Sequence, residues 1–182
     1  RHLSAVLKAT GRHACWVALA LSVMACASAP PAPPEEPAEP MTRKIAQLAV
    51  VEAPQAVVWE TWTTTAGVET FLSPAADIVA EVGGAYELHF SPGAEGRAQG
   101  TVGCKVLELT PPRKLTFDVT APPSLSTGKA QTTVTVRFIP LNDDMTRIQL
   151  VHQGLLSAPE WDDLHFYFSE LWTATLERLR QR

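Results

Sequence analysis

The stretch WDDLHFYFSELWTATLERL, residues 161–179, decides the fold. Trp161, Leu164, Phe168, Leu171, Trp172, Thr175 and Leu179 recur at spacings of three and four, which places one apolar stripe along a helix. Pro159 opens that helix. Asp162 and Asp163 near its start and Arg178, Arg180 and Arg182 near its end suit the helix dipole. A helix of this length with one apolar face must lie against something apolar.

The segments upstream supply it. Ile45–Val51 reads as a strand, and Pro54 then introduces a helix over Gln55–Trp62 with Val58, Trp59 and Trp62 on one side. Thr63-Thr64-Thr65 and Gly67 break it, and Val68–Leu72 makes a second short helix that Pro74 stops. A train of strands follows. Ile78–Val82 leads into Gly83-Gly84, a hairpin-type turn. Ala85–Phe90 alternates, with Tyr86, Leu88 and Phe90 on one face and Glu87 and His89 on the other. Thr101–Leu109 alternates and then slips phase at Leu107, the mark of a bulge. Leu115, Phe117 and Val119 share a face, as do Val134, Val136 and Phe138, and then Ile148, Leu150 and His152 after an Asn142-Asp143-Asp144 turn. Each strand has one apolar face, and only the last helix is long enough to cover them. The expected fold is α+β: a curved antiparallel sheet of about six to seven strands around a long C-terminal helix, with two short helices after the first strand.

The same order resembles the START-like, or SRPBCC, superfamily with its helix-grip fold. Local signatures are similar to the family named for the activator of the heat-shock protein 90 ATPase. They are Val51-Glu52-Ala53-Pro54 running to Trp59, the Gly83-Gly84 turn, Gly100-Thr101-Val102, Pro111-Pro112-Arg113-Lys114-Leu115-Thr116-Phe117, Thr146-Arg147 through His152-Gln153-Gly154, and Trp172 with Leu176. Phe71 stands where that family usually has Trp. The resemblance covers nearly all of 43–180. It implies a fold firmly and a function loosely. Members of the superfamily bind apolar ligands between sheet and helix, some are cyclases or hydroxylase subunits, and the name-giving member is a cytosolic co-chaperone.

The rest of the chain bears on location. It has 182 residues and a net charge of −4, which speaks against nucleic acid as a partner. Arg1, Lys8 and Arg12 precede a 12-residue apolar stretch, Ala14–Ala25, the length of a signal h-region. Val23-Met24-Ala25-Cys26 resembles a bacterial lipobox, which would make residues 1–26 a lipoprotein-type signal and Cys26 the lipidated residue. The absence of Asp after Cys26 points to the outer membrane, so the expected place is the cell envelope, facing the periplasm. A plain secretory signal, or translation starting at Met41 in the cytoplasm, are the competing readings. Residues 27–40 hold six Pro and three Glu and no large apolar residue, an extended linker by composition. Residues 41–182 are the working domain.

Within that domain the inward residues Tyr86, Phe117, Phe138, His152, Phe168 and Trp172 surround the gap between sheet and helix. An apolar wall with a few polar points is the make-up of a small-molecule site. Simple close packing is the competing reading. Tyr86 and His152 would be the acid/base pair of a cyclase- or isomerase-like enzyme. No Gly-rich phosphate loop, nucleophile elbow or Ser-His-Asp pattern is present. Cys104 alternates with Val102 and Val106 and reads as a buried, inert thiol. No His/Cys/carboxylate cluster stands at ligand spacing on one element, so no metal is expected. The expectation is a non-enzymatic domain with no cofactor, binding a small apolar molecule and meeting the membrane only through its lipid. A chaperone-activator-like interaction module is the alternative if translation starts at Met41.

Overall fold

Strand β1 (Thr42–Val51) hands the chain to two short helices, α1 (Gln55–Thr63) and α2 (Thr65–Glu69), and six more strands precede the last helix. The computed structural model describes residues 41–90, 101–121, 124, 125, 127 and 130–181. The signal and linker expectations, Cys26 included, lie outside the described residues. Strands β2 (Ala75–Ile78), β3 (Tyr86–His89), β4 (Val106–Thr110), β5 (Lys114–Thr120), β6 (Gln131–Asn142) and β7 (Met145–Leu156) are antiparallel to their neighbours. A 3-10 turn at Pro159–Trp161 leads into α3 (Asp162–Arg180).

The main sheet has five strands in the order β1-β7-β6-β5-β4, and β2-β3 is a separate ribbon. The ribbon is stitched to the β4 edge by a bridge between Ala85 and Lys105 and by backbone bonds from Tyr86 to Cys104 and from Val106 to Gly84, each 2.9 Å. Seven strands are thus present among the described residues, within the six to seven that the alternation predicts, but an irregular seam divides them.

The register explains the bulges. Val106 faces Phe117 while Glu108 faces Thr116, so Leu107 is the extra residue where the pattern slips phase. On β7, Arg43↔Leu155 is followed by Ile45↔His152, which leaves Gln153 and Gly154 at a bulge. Gly154 has φ +90°, a conformation other residues enter only at a cost.

Three elements sit away from their expected positions. Strand β4 begins at Val106 rather than Thr101: residues 101–104 make a turn with Gly103 at φ +83°, and Val102 is exposed while Cys104 and Val106 are buried. The second helix starts at Thr65 and ends at Glu69, because the Thr64 hydroxyl caps the Gly67 N–H at 3.1 Å. Strand β2 covers Ala75–Ile78 rather than Ile78–Val82. Ala76 is its core residue, and Val79 and Val82 are exposed in the loop that carries Gly83 at φ +85°. The core is continuous. Ile148, Leu150, Val134, Val136, Leu115 and Phe117 on the sheet are essentially fully buried, and Leu164, Phe168, Trp172, Leu176 and Leu179 of α3 are buried with them.

Candidate functional site

All six residues expected at the gap are buried, none more than 3% exposed. The structure gathers them into two groups. Tyr86 (β3) stacks on Phe117 (β5) with centroids 4.0 Å apart. Its hydroxyl donates to the Trp62 carbonyl at 3.1 Å. Trp62 (α1) in turn meets Phe138 (β6) edge-on at 6.1 Å and Phe71 at 4.9 Å. The second group joins β7 to α3. His152 meets the Phe168 ring at 4.4 Å and the Trp172 ring at 6.0 Å.

A directional chain of hydrogen bonds runs through the second group. The Trp172 indole Nε1–H donates to His152 Nδ1 at 3.0 Å. Since Nδ1 accepts, the imidazole proton sits on Nε2, which donates to Thr132 Oγ1 at 2.7 Å. The Thr132 hydroxyl in turn donates to the Val119 carbonyl at 3.3 Å. Helix α3 and strands β7, β6 and β5 are linked by three consecutive bonds, none open to water. Burial, and to a lesser degree the neighbouring His165, holds His152 down at about 3. Burial also raises the Tyr86 phenol well above its usual range.

One polar group in this wall is left over. The Trp62 side chain is fully buried, and its Nε1–H has no partner among the described residues. Sequence reading placed Trp62 in the core on helical spacing. That spacing carries no information about whether an indole N–H finds an acceptor.

The remaining expectations divide. Cys104 is a free, 1% exposed thiol, its Sγ 3.9 Å from Thr120 Oγ1, and burial raises it. His89, on the face away from Tyr86 and Leu88, is nonetheless largely covered and pairs with Asp77. Asp162 does stand in the first turn of α3, where it also holds Arg43 of β1 at 2.7 Å. Beside the second group, Leu125, Phe166, Tyr167 and Leu171 line most of a depression of about 440 Å³ on the side of α3. Tyr167 packs edge-on against Phe168 at 5.2 Å.

Comparison with known proteins agrees with this architecture. The family model described as Activator of Hsp90 ATPase homolog 1-like protein matches residues 52–182. The chain belongs to that family. Solved structures share its fold at low identity. A protein from Mesorhizobium loti is 17% identical with a TM-score of 0.62, over 76% of this chain and 95% of that one. The Aha1 dimer from Colwellia psychrerythraea is 16% identical with a TM-score of 0.58, over 76% and 93%. An HSP90 activator from Plasmodium falciparum is 19% identical with a TM-score of 0.55, over 76% and 93%. No curated protein matches the chain. Family membership carries the helix-grip fold into this chain, and fold alone does not carry an activity.

Proposed function

We propose that this family member is a non-enzymatic binding domain that takes a small, mostly apolar molecule between the sheet and α3. The observation that carries the reading is the Trp62 indole N–H, buried in the aromatic wall with no acceptor among the described residues. Buried donors in native proteins are nearly always satisfied, and one left unpaired costs about 1–3 kcal/mol. A ligand with an apolar body and one acceptor answers that donor. The apolar depression lined largely by Leu125, Phe166, Tyr167 and Leu171 is a separate apolar surface on the side of α3, next to Phe168 through Tyr167.

The non-enzymatic part rests on His152 and Tyr86. Both imidazole nitrogens are engaged, and the phenol is tied to a backbone carbonyl. A general acid or base must reach its substrate's proton and titrate near working pH. Neither group offers this. The membrane tether at Cys26 and a place in the cell envelope belong to the same proposal and rest on the lipobox-like run before Cys26.

The experiment is native mass spectrometry of the full chain purified from its own host, followed by titration of fatty-acid and flavonoid probes against tryptophan fluorescence. A co-purified small molecule, or saturable probe binding weakened roughly fivefold in Trp62→Phe by loss of one hydrogen bond, is expected. The absence of both a bound molecule and any saturable probe would overturn the reading.

A further inference from the structure

The β2–β3 ribbon brings together three groups that the wall described above does not use. Asp77 on β2 lies directly opposite Glu87 on β3, and His89 follows two residues later on the same face. One donor atom from each lies within 4.8 Å of the other two. His89 Nε2 stands 3.0 Å from Asp77 Oδ2. Two carboxylates facing each other across an antiparallel pair repel. Among the described residues neither has a Lys or Arg partner.

The surroundings fix the donors in place. The His89 ring is largely covered, its Nδ1 is buried with no partner among the described residues, and its Nε2 faces the Asp77 carboxylate. Glu87 Oε1 accepts from the Gly103 N–H at 2.7 Å, and its Oε2 has no hydrogen bond or ion pair among the described residues. Gly103 reaches that position with φ +83°. A carboxylate held by a backbone N–H through one oxygen, with the other free, is the outer-shell arrangement that orients metal ligands. Asp77 is exposed, so water can complete the coordination.

The geometry points to a divalent-metal site made by Asp77, Glu87 and His89. One imidazole and two carboxylates, with no thiolate, suit Zn²⁺ first and Mn²⁺ next. Zinc bonds of ~2.0–2.2 Å put donors roughly 3.3–3.5 Å apart. The His89–Asp77 pair, at 3.0 Å, is already near that spacing, and the Glu87 carboxylate lies within 4.8 Å of both, so metal binding would draw it in by about an ångström. The metal would neutralise the facing carboxylates and clamp β2 to β3, a two-stranded ribbon with little stability of its own.

The test is isothermal titration of the chelator-treated full chain with ZnCl₂ and with MnCl₂, for the wild type, Asp77→Asn and His89→Gln. Residues elsewhere in the chain contribute the same background to all three proteins. The expected result is one binding event in the wild type that each variant weakens at least about tenfold. Added Zn²⁺ should raise the wild-type Tm and leave that of both variants unchanged. Asp77 is exposed, so Asp77→Asn keeps the fold and stands as the readout if His89→Gln unfolds. Zinc and manganese binding equal in the wild type and Asp77→Asn, or no binding by the wild type, would overturn the assignment.

Discussion

His152 shows what a single buried residue does in this fold. Its ring is neutral because Nδ1 accepts from Trp172 and burial holds the group down at about 3, against an ordinary value of about 6.5. Between those two values the unfolded chain binds a proton that the folded chain refuses. Stability from this group is therefore complete above about pH 6.5 and falls as pH drops toward 3, by about 1.4 kcal/mol per pH unit. Urea unfolding of the wild type from pH 7 to pH 4 should show that slope, and His152→Gln should flatten it. An unchanged slope in His152→Gln would assign the acid sensitivity to other groups. The inward position of His152 was legible in the alternation with Ile148 and Leu150. Its partners were not, because Thr132 and Trp172 are each twenty residues away and meet it only through pairing and helix docking.

At the scale of elements, the stripe on α3 was legible to within a residue or two. Leu164, Phe168, Trp172 and Leu179 are buried, while Trp161 and Leu171 are only half-covered at the edge of the face. Phe166 lies off the stripe and is 68% exposed. Phe168→Ala should cost ~3–5 kcal/mol through a cavity, and Phe166→Ala should stay within about 0.5 kcal/mol in stability. Chemical denaturation of the two variants checks the helix orientation directly. On β7, Gly154→Ala places a side chain at φ +90° with Thr132 carbons 3.5–3.7 Å from the new Cβ. The space is ordinary, so the cost is conformational, about 1–2 kcal/mol. A neutral result in the same assay would mean that the bulge rearranges. The short elements were less legible. Strand β2 has only four residues, and its pattern competes with the apolar Val79 and Val82 of the following loop. Helix α2 begins where a threonine side chain caps it, and three consecutive threonines make the choice ambiguous in sequence.

At the scale of the whole molecule, element order carried the fold, because long alternating strands and one long amphipathic helix leave few arrangements that bury both. The candidate site was only half legible. Alternation shows which side chains turn inward, but the open donor on Trp62 and the cross-strand trio of Asp77, Glu87 and His89 depend on atoms brought together by pairing. The N-terminal 40 residues call for a different kind of argument, from composition and motif. A basic start, a 12-residue apolar run and a small residue before Cys26 fit a lipidation signal, and Pro and Glu then hold no surface a core could use. On that reading the lipid and the domain are independent features of one chain. Labelling with a fatty-acid analogue should mark the wild type and not Cys26→Ser, and the label should follow the membrane fraction. The same Cys26→Ser chain should keep the wild-type Tm, since every buried residue of the core described here lies between Ile45 and Leu179. Equal labelling of the two proteins would remove the anchor. Loss of label together with a lowered Tm would mean that Cys26 takes part in folding rather than in tethering.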